Sequence, residues 1–337
     1  MSKTTLRTRI TAVVLLVGLA SIGYAQTITT FDVPGSTATI PESINPRGQI
    51  AGVYLDASFG IHGFLRKNDG TFITFDVPGS LDLNIVGLTP AGQIAGRTYD
   101  GIVFRGFLRE RDGTITEFDP PGSILTIPTS INPAGQITGL YLDANRVNHG
   151  FLRRRDGTFT TFDVTGSGAT VPNSINPAGQ ITGFYRVDVN QFAGHGFLRE
   201  TSGAFVTFDA PGSILTIPLS INPAGQITGN YSDPTFTNDG HGFLRKADGT
   251  FATFDAPGSD GTFPVSINPA GQITGLYRVS GVTEVDHGFL RETDGTITTF
   301  DPTGSTSTSP ASINPAGRIT GFYRDANFVP HGFLRTP

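Results

Sequence analysis

The chain of 337 residues contains no cysteine, no tryptophan and a single methionine. Without cysteine no disulfide can staple the fold, and no thiolate is available as nucleophile or metal ligand. Positive charge is also scarce. The 23 Lys and Arg are outnumbered by 28 Asp and Glu, for a net charge of −5. That balance disfavours a nucleic-acid partner, which needs clustered cations, and peripheral attachment to anionic lipid. Helical patterning is missing beyond the first 25 residues: no stretch keeps apolar residues at helical spacing for three turns, and the 44 Gly and 23 Pro recur every few positions. Phosphate-cradling glycine loops, His-Glu-x-x-His and Gly-x-Ser-x-Gly are absent too, so the sequence offers no nucleotide, zinc-protease or serine-hydrolase signature.

What is present is a period. His-Gly-Phe-Leu-Arg begins at His62, His149, His195, His241, His287 and His331, with Arg105 heading a seventh copy. Asn-Pro-x-Gly begins at Asn45, Asn132, Asn176, Asn222, Asn268 and Asn314, with Thr89 in the seventh. Phe-Asp recurs at Phe31, Phe75, Phe118, Phe162, Phe208, Phe254 and Phe300, in steps of 43 to 46 residues. A period of that size marks a repeat architecture.

One copy predicts its own local structure. Thr129–Asn132 is a short strand, and Pro133-Ala134-Gly135 is a turn in which Pro presets φ and Gly takes the left-handed position. A returning strand, Gln136–Tyr141, leads through a looser segment to a third strand, His149–Arg153. The Asp156-Gly157 turn then opens a fourth strand, Thr158–Asp163, rich in β-branched and aromatic residues. Four antiparallel strands in about 45 residues match one blade of a β-propeller. The fold class expected is all-β: a seven-bladed β-propeller of four-stranded antiparallel blades. The order of the words supports a ring. Thr27–Asp32 reads as a fourth strand and His331–Arg335 as a third, so the seventh blade is split and would be closed by pairing of the N-terminal strand with the C-terminal blade. A linear solenoid would want capping repeats instead.

Residues 1–25 read as a signal peptide. Lys3, Arg7 and Arg9 precede an apolar run from Ile10 to Ile22, and Gly23-Tyr24-Ala25 supplies small residues where a signal peptidase reads. The expectation is one propeller domain over 26–337, in a secreted or periplasmic, soluble, monomeric protein. The words I-N-x-x-G-Q-I-x-G and H-G-F-L, followed by D-G-T and an apolar strand, resemble the HAF family of probable extracellular repeats. Gly63 and its equivalents stand where that family has Ala. The resemblance implies export and a repeat fold, and no activity.

All six histidines occupy one position of the repeat, each 14 residues before the Asp of Phe-Asp: His62 and Asp76, His149 and Asp163, His195 and Asp209, His241 and Asp255, His287 and Asp301. His331 would meet Asp32 across the closure. These are read as structural His–Asp pairs locking the third strand to the fourth, with a metal or acid–base site in each blade as the competing reading. Six histidines around a ring cannot share one metal, and each blade alone offers too few ligands. Arg105 beside Asp119 would preserve a charged pair. Its blade also has Gly87 for Ser and Leu88-Thr89 for Ile-Asn, so it is either drifted or a ligand site.

The segments before each His-Gly-Phe-Leu-Arg vary most, and they share one face of the ring with the blade-to-blade connections. Variation on one face of a rigid scaffold is how binding surfaces are commonly built. The candidate ligand-binding residues are Phe59, Phe104, Arg105, Phe192, Phe236 and Phe328, with loop acids Asp56, Asp100, Asp143, Asp188, Asp233 and Asp325 available for sugar hydroxyls. The competing reading packs each Phe onto the blade end. No catalytic residue and no metal site is assigned, and no cofactor is expected. Calcium at the loop acids is the one exception considered, without an Asp-x-Asp-x-Asp-Gly loop to support it. The function expected is a binding module for an extracellular glycan or protein. The alternative is a propeller enzyme cleaving a polysaccharide or phosphoester at the channel opening of the same face, where the Arg105 blade is the candidate break in symmetry.

Overall fold

The computed structural model describes residues 26–235, 240–279 and 285–337; the leader expected at 1–25 and the loop residue Phe236 lie outside them. Seven four-stranded antiparallel sheets stand around a central channel, a seven-bladed β-propeller. The innermost strands, blade by blade, are Ala38–Ile44, Asp82–Leu88, Leu125–Ile131, Ala169–Ile175, Leu215–Ile221, Gly261–Ile267 and Ser307–Ile313. In the seventh blade the outermost strand is Thr27–Phe31, paired antiparallel with Pro330–Thr336 from Thr27 opposite Thr336 to Phe31 opposite Gly332. The split repeat thus closes the ring by strand pairing, and the sheet edge that would stay open is covered.

The turns follow the sequence chemistry. Gly135 (φ 77°) and Gly157 (φ 89°) hold left-handed conformations in the third blade's two hairpin turns. Val33-Pro34-Gly35-Ser36 closes with a 3.0 Å bond from the Ser36 N–H to the Val33 carbonyl, Gly35 at φ 82°, as a type II turn requires.

The innermost strand differs from expectation. In the third blade it begins at Leu125, four residues before Thr129, and runs through Pro128. Proline is tolerated because this strand has a free edge toward the channel, so its missing N–H leaves no ladder partner unmet. Directly after that proline the register slips. Pro41 pairs Gly52 and Ser43 pairs Ala51, leaving Glu42 as an extra, bulged residue. The same slip recurs in all seven blades.

Between blades the core is aromatic. Phe64, Phe107, Phe151, Phe197, Phe243, Phe289 and Phe333 are fully buried, each contributing roughly 1.5–3 kcal/mol. The Phe of Phe-Asp lies across the glycine of its own His-Gly-Phe: a Cβ on Gly63 would sit 2.3 Å from the Phe75 ring. That approach leaves no room for a Cβ, which is why the position is glycine in every copy. The terminal Arg of each His-Gly-Phe-Leu-Arg stacks on the preceding blade's Phe, as Arg109 does over Phe75 (4.9 Å) and Arg245 over Phe208 (4.7 Å). Asparagine amides add a polar belt. Asn45, Asn132, Asn176, Asn222, Asn268 and Asn314 each donate from Nδ2 to a backbone carbonyl of the next blade at 3.1–3.2 Å. Thr89 of the second blade has no amide, so the belt is interrupted toward the third blade. The serine link fails at the same seam. Ser130 Oγ accepts from the Ile175 N–H at 3.4 Å, but the second blade has Gly87, and the Ile131 side chain fills the space.

Candidate functional site: loop face and channel mouth

The His–Asp pairs form in every blade that has a histidine. Nδ1 lies 2.6 Å from Asp76 in His62, 2.7 Å from Asp163 in His149, 3.0 Å from Asp209 in His195, 2.9 Å from Asp255 in His241, 2.7 Å from Asp301 in His287 and 2.8 Å from Asp32 in His331. Arg105 takes the same place, its Nη1 donating to Asp119 at 2.6 Å. Two further partners were not read from the sequence. The imidazole stacks on the tyrosine of the second strand, 5.0 Å between centroids for Tyr54 and His62. Its other nitrogen faces a loop aspartate, 3.3 Å for His62 and Asp56 and 3.6 Å for His149 and Asp143. The hydrogen bond to Asp76 holds the His62 imidazolium pKa above its ordinary value, helped by Asp56 and opposed by burial. Among the described residues no three His, Asp or Glu side chains are placed to hold a metal ion.

The loop acids are engaged. Asp56 Oδ1 accepts the backbone N–H of Ser58 (2.7 Å) and Gly60 (2.8 Å), and Asp325 Oδ1 those of Asn327 (2.8 Å) and Val329 (2.9 Å). The carboxylates read as sugar-hydroxyl acceptors thus anchor their own loops instead. The result is a fixed turn whose corner residue is left-handed: Phe59 (φ 62°), Arg146 (φ 63°) and Phe328 (φ 62°), an uncommon conformation for a side chain with Cβ. Phe59 is 77% exposed and Phe328 70%, on adjacent blades. Phe192 is 53% exposed. Phe104 behaves otherwise: it stacks on Tyr99 at 4.6 Å and lies under the Arg97 guanidinium at 5.2 Å, so it packs rather than being presented.

The symmetry breaks at the channel. The seven bulged positions are Glu42, Val86, Thr129, Asn173, Leu219, Val265 and Ala311, and all seven line one cavity of about 290 Å³. Toward the loop face a second cavity of about 350 Å³ is lined by Asn84, Arg97, Thr129, Asn173 and an apolar wall that includes Leu219 and Val265. The Glu42 carboxyl reaches into the second blade, where one oxygen accepts from the Asn84 amide and the other from the Ile85 N–H at 2.8 Å. Burial pushes its pKa up to about 8 against the pull of the Ile85 hydrogen bond and the Arg97 charge; Asp82 raises it further. Glu42 is half-buried by surface area, but its carboxyl lies inside the protein wall, and that environment sets its proton affinity. The blade that carries Arg105 also differs at the channel, where it places Asn84 and Arg97 beside Glu42 of its neighbour. For Glu42 the signal was available in the residue before each Ser-Ile-Asn, which changes between copies; Asn84 and Arg97 lie outside that phrase.

No family model matches the chain, and no curated protein matches it in sequence. Solved structures match in fold. A catalytically inactive variant of virginiamycin B lyase from Staphylococcus aureus, solved with quinupristin, superposes with a TM-score of 0.64 at 14% identity, over 93% of this chain and 99% of that one. The β-propeller domain of the Trilobed protease from Pyrococcus furiosus, described as an open-velcro propeller, gives 0.63 at 8% identity over 88% and 95%. Puromycin hydrolase gives 0.62 at 11%, over 89% of this chain and 53% of that one. At such identities the likeness is one of architecture.

Proposed function

We propose that this protein is an exported, monomeric, non-enzymatic propeller that presents its loop face to an extracellular glycan. The leader pattern and the HAF-like repeat words support export. One observation carries the binding reading. Phe59 and Phe328 are held outward in left-handed turns on neighbouring blades, each turn locked by an aspartate that takes two loop N–H groups. A rigid, exposed aromatic costs little further entropy when a sugar ring stacks on it. Catalysis is disfavoured by the channel lining: its seven bulged positions hold one carboxylic acid, Glu42, and glycoside hydrolysis needs a pair.

A glycan array followed by affinity electrophoresis in polysaccharide gels tests this. The protein should be retained, and a Phe59→Ala/Phe328→Ala double variant should lose retention. Cleavage of the polysaccharide, or unchanged retention in the double variant, would overturn the reading. Retention on an extracellular protein but on no glycan would move the partner to the other class.

A further inference from the structure

The second blade departs from the repeat where it meets the channel. At one level of the innermost and second strands the directly paired residues are both apolar in four blades, as Ile40 and Val53 in the first and Ile127 and Leu140 in the third, while the fifth pairs Ile217 with Asn230 and the seventh Ser309 with Phe322. In the second blade that pair is Asn84 and Arg97. Two apolar residues have been replaced by an amide and a guanidinium at the loop-side mouth, while the fully buried phenylalanine core is unchanged.

Arg97 has a ring beneath it but no close anionic or hydrogen-bonding partner. It makes no hydrogen bond and no ion pair within 4 Å among the described residues, and its Nε is buried without an acceptor. The repeat arginines and Arg186 share that orphaned Nε, and like Arg97 they lie over a phenylalanine ring, but none of them lines this cavity. Arg97 lines an open cavity of about 350 Å³, within the usual range for small-molecule sites. Phe104 beneath its guanidinium holds the fork in place without neutralising it. The carboxyl whose charge bears on Arg97 is Glu42, and burial pushes its pKa up to about 8, which favours its neutral form near pH 7. The other charge bearing on Glu42 is Asp82, at the outer end of the strand that carries Asn84. The mouth thus offers a cation, an amide and two polar side chains, Thr129 and Asn173, opposite the apolar Leu219 and Val265. A guanidinium fork matches a carboxylate, and the apolar wall suits a ligand with an uncharged body.

We propose that the loop-side mouth of the central channel binds a small organic carboxylate, its anionic group held by Arg97 and its body lying on Leu219 and Val265. The site is separate from the exposed loop aromatics and does not rest on the glycan reading.

Isothermal titration with hexanoate, benzoate and glucuronate, and with hexanamide and benzamide as neutral controls, tests it. At least one acid should bind, and its amide should bind about tenfold or more weakly. The double variant Asn84→Ile/Arg97→Leu installs the kind of apolar pair that four other blades use, so it should fold with an unchanged melting temperature and lose the acid by about tenfold or more. Affinity should fall between about pH 7 and about pH 9 as Glu42 ionises beside Arg97, and Glu42→Gln should remove that fall. A preference for glucuronate assigns a sugar acid, one for hexanoate or benzoate an apolar acid, and either supports the site. The proposal is overturned if no acid binds, if acid and amide bind equally, or if the double variant binds as the wild type does.

Discussion

The guanidinium of Arg66 lies over the ring of Phe31, 4.7 Å from its centroid. The two residues are 35 positions apart in sequence, and Phe31 belongs to the strand that completes the seventh blade while Arg66 belongs to the first. The contact repeats the one made by Arg245 and Phe208 inside the ring. The closing seam is therefore built like the internal ones. Phe31→Ala should cost about 2–4 kcal/mol in chemical unfolding, from lost apolar burial and the cation–π contact, and Phe208→Ala should cost a similar amount. Deleting residues 26–33 should go further and leave an open, aggregation-prone ring; a monomeric deletion variant with unchanged melting temperature would contradict closure.

The asparagine belt predicts a stabilising substitution. Thr89→Asn places an amide where the other six blades have one, with the Asn132 carbonyl as acceptor. Denaturant melts should show a gain of about 0.5–1.5 kcal/mol. Asn222→Ala should lose about 1–3 kcal/mol, because it frees the Asn268 carbonyl and undoes its own turn.

Glu42 makes stability pH-dependent. Its folded pKa, about 8, lies above the ordinary 4.5. Between those values the folded state binds the extra proton, so stability falls as pH rises across that window and levels off above it. The fall should be on the order of a few kcal/mol at most, and Glu42→Gln should flatten the curve in thermal melts from pH 5 to pH 9.

His62 runs on the same rule. Its raised pKa means that stabilisation by Asp76 is complete below the ordinary imidazole value and is lost as pH rises through the raised one. The pair is partly exposed, so the energy is small. An NMR titration should find the His62 ring titrating above about 6.5, returning toward it in Asp76→Asn.

Reading forward from the chain, the ring, the turns and the His–Asp partners were all legible, because each depends on a residue spacing that repeats seven times. The partners from outside the phrase were not. Tyr54 stacks on His62, Asp56 reaches it from a loop, and Arg66 finds Phe31 in another blade; those depend on strand register and on how blades abut. The third blade's innermost strand starts at Leu125, ahead of the expected Thr129, because the free edge toward the channel lets Pro128 sit inside it. The channel site was hidden for the opposite reason. Attention to what repeats passes over Glu42, Asn84 and Arg97, which matter because they do not.

The bulge in each innermost strand gives this fold an unusual freedom. The residue it extrudes belongs to no ladder pair; Glu42, Thr129 and Asn173 each bond to the next blade, whereas the apolar Val86, Leu219, Val265 and Ala311 cannot, so the lumen can be rewritten at those four places while the walls stay as they are. Glu, Val, Thr, Asn, Leu, Val and Ala already occupy those seven places. A library confined to the four apolar ones would change what the pore greets and leave untouched the contacts that make it a ring.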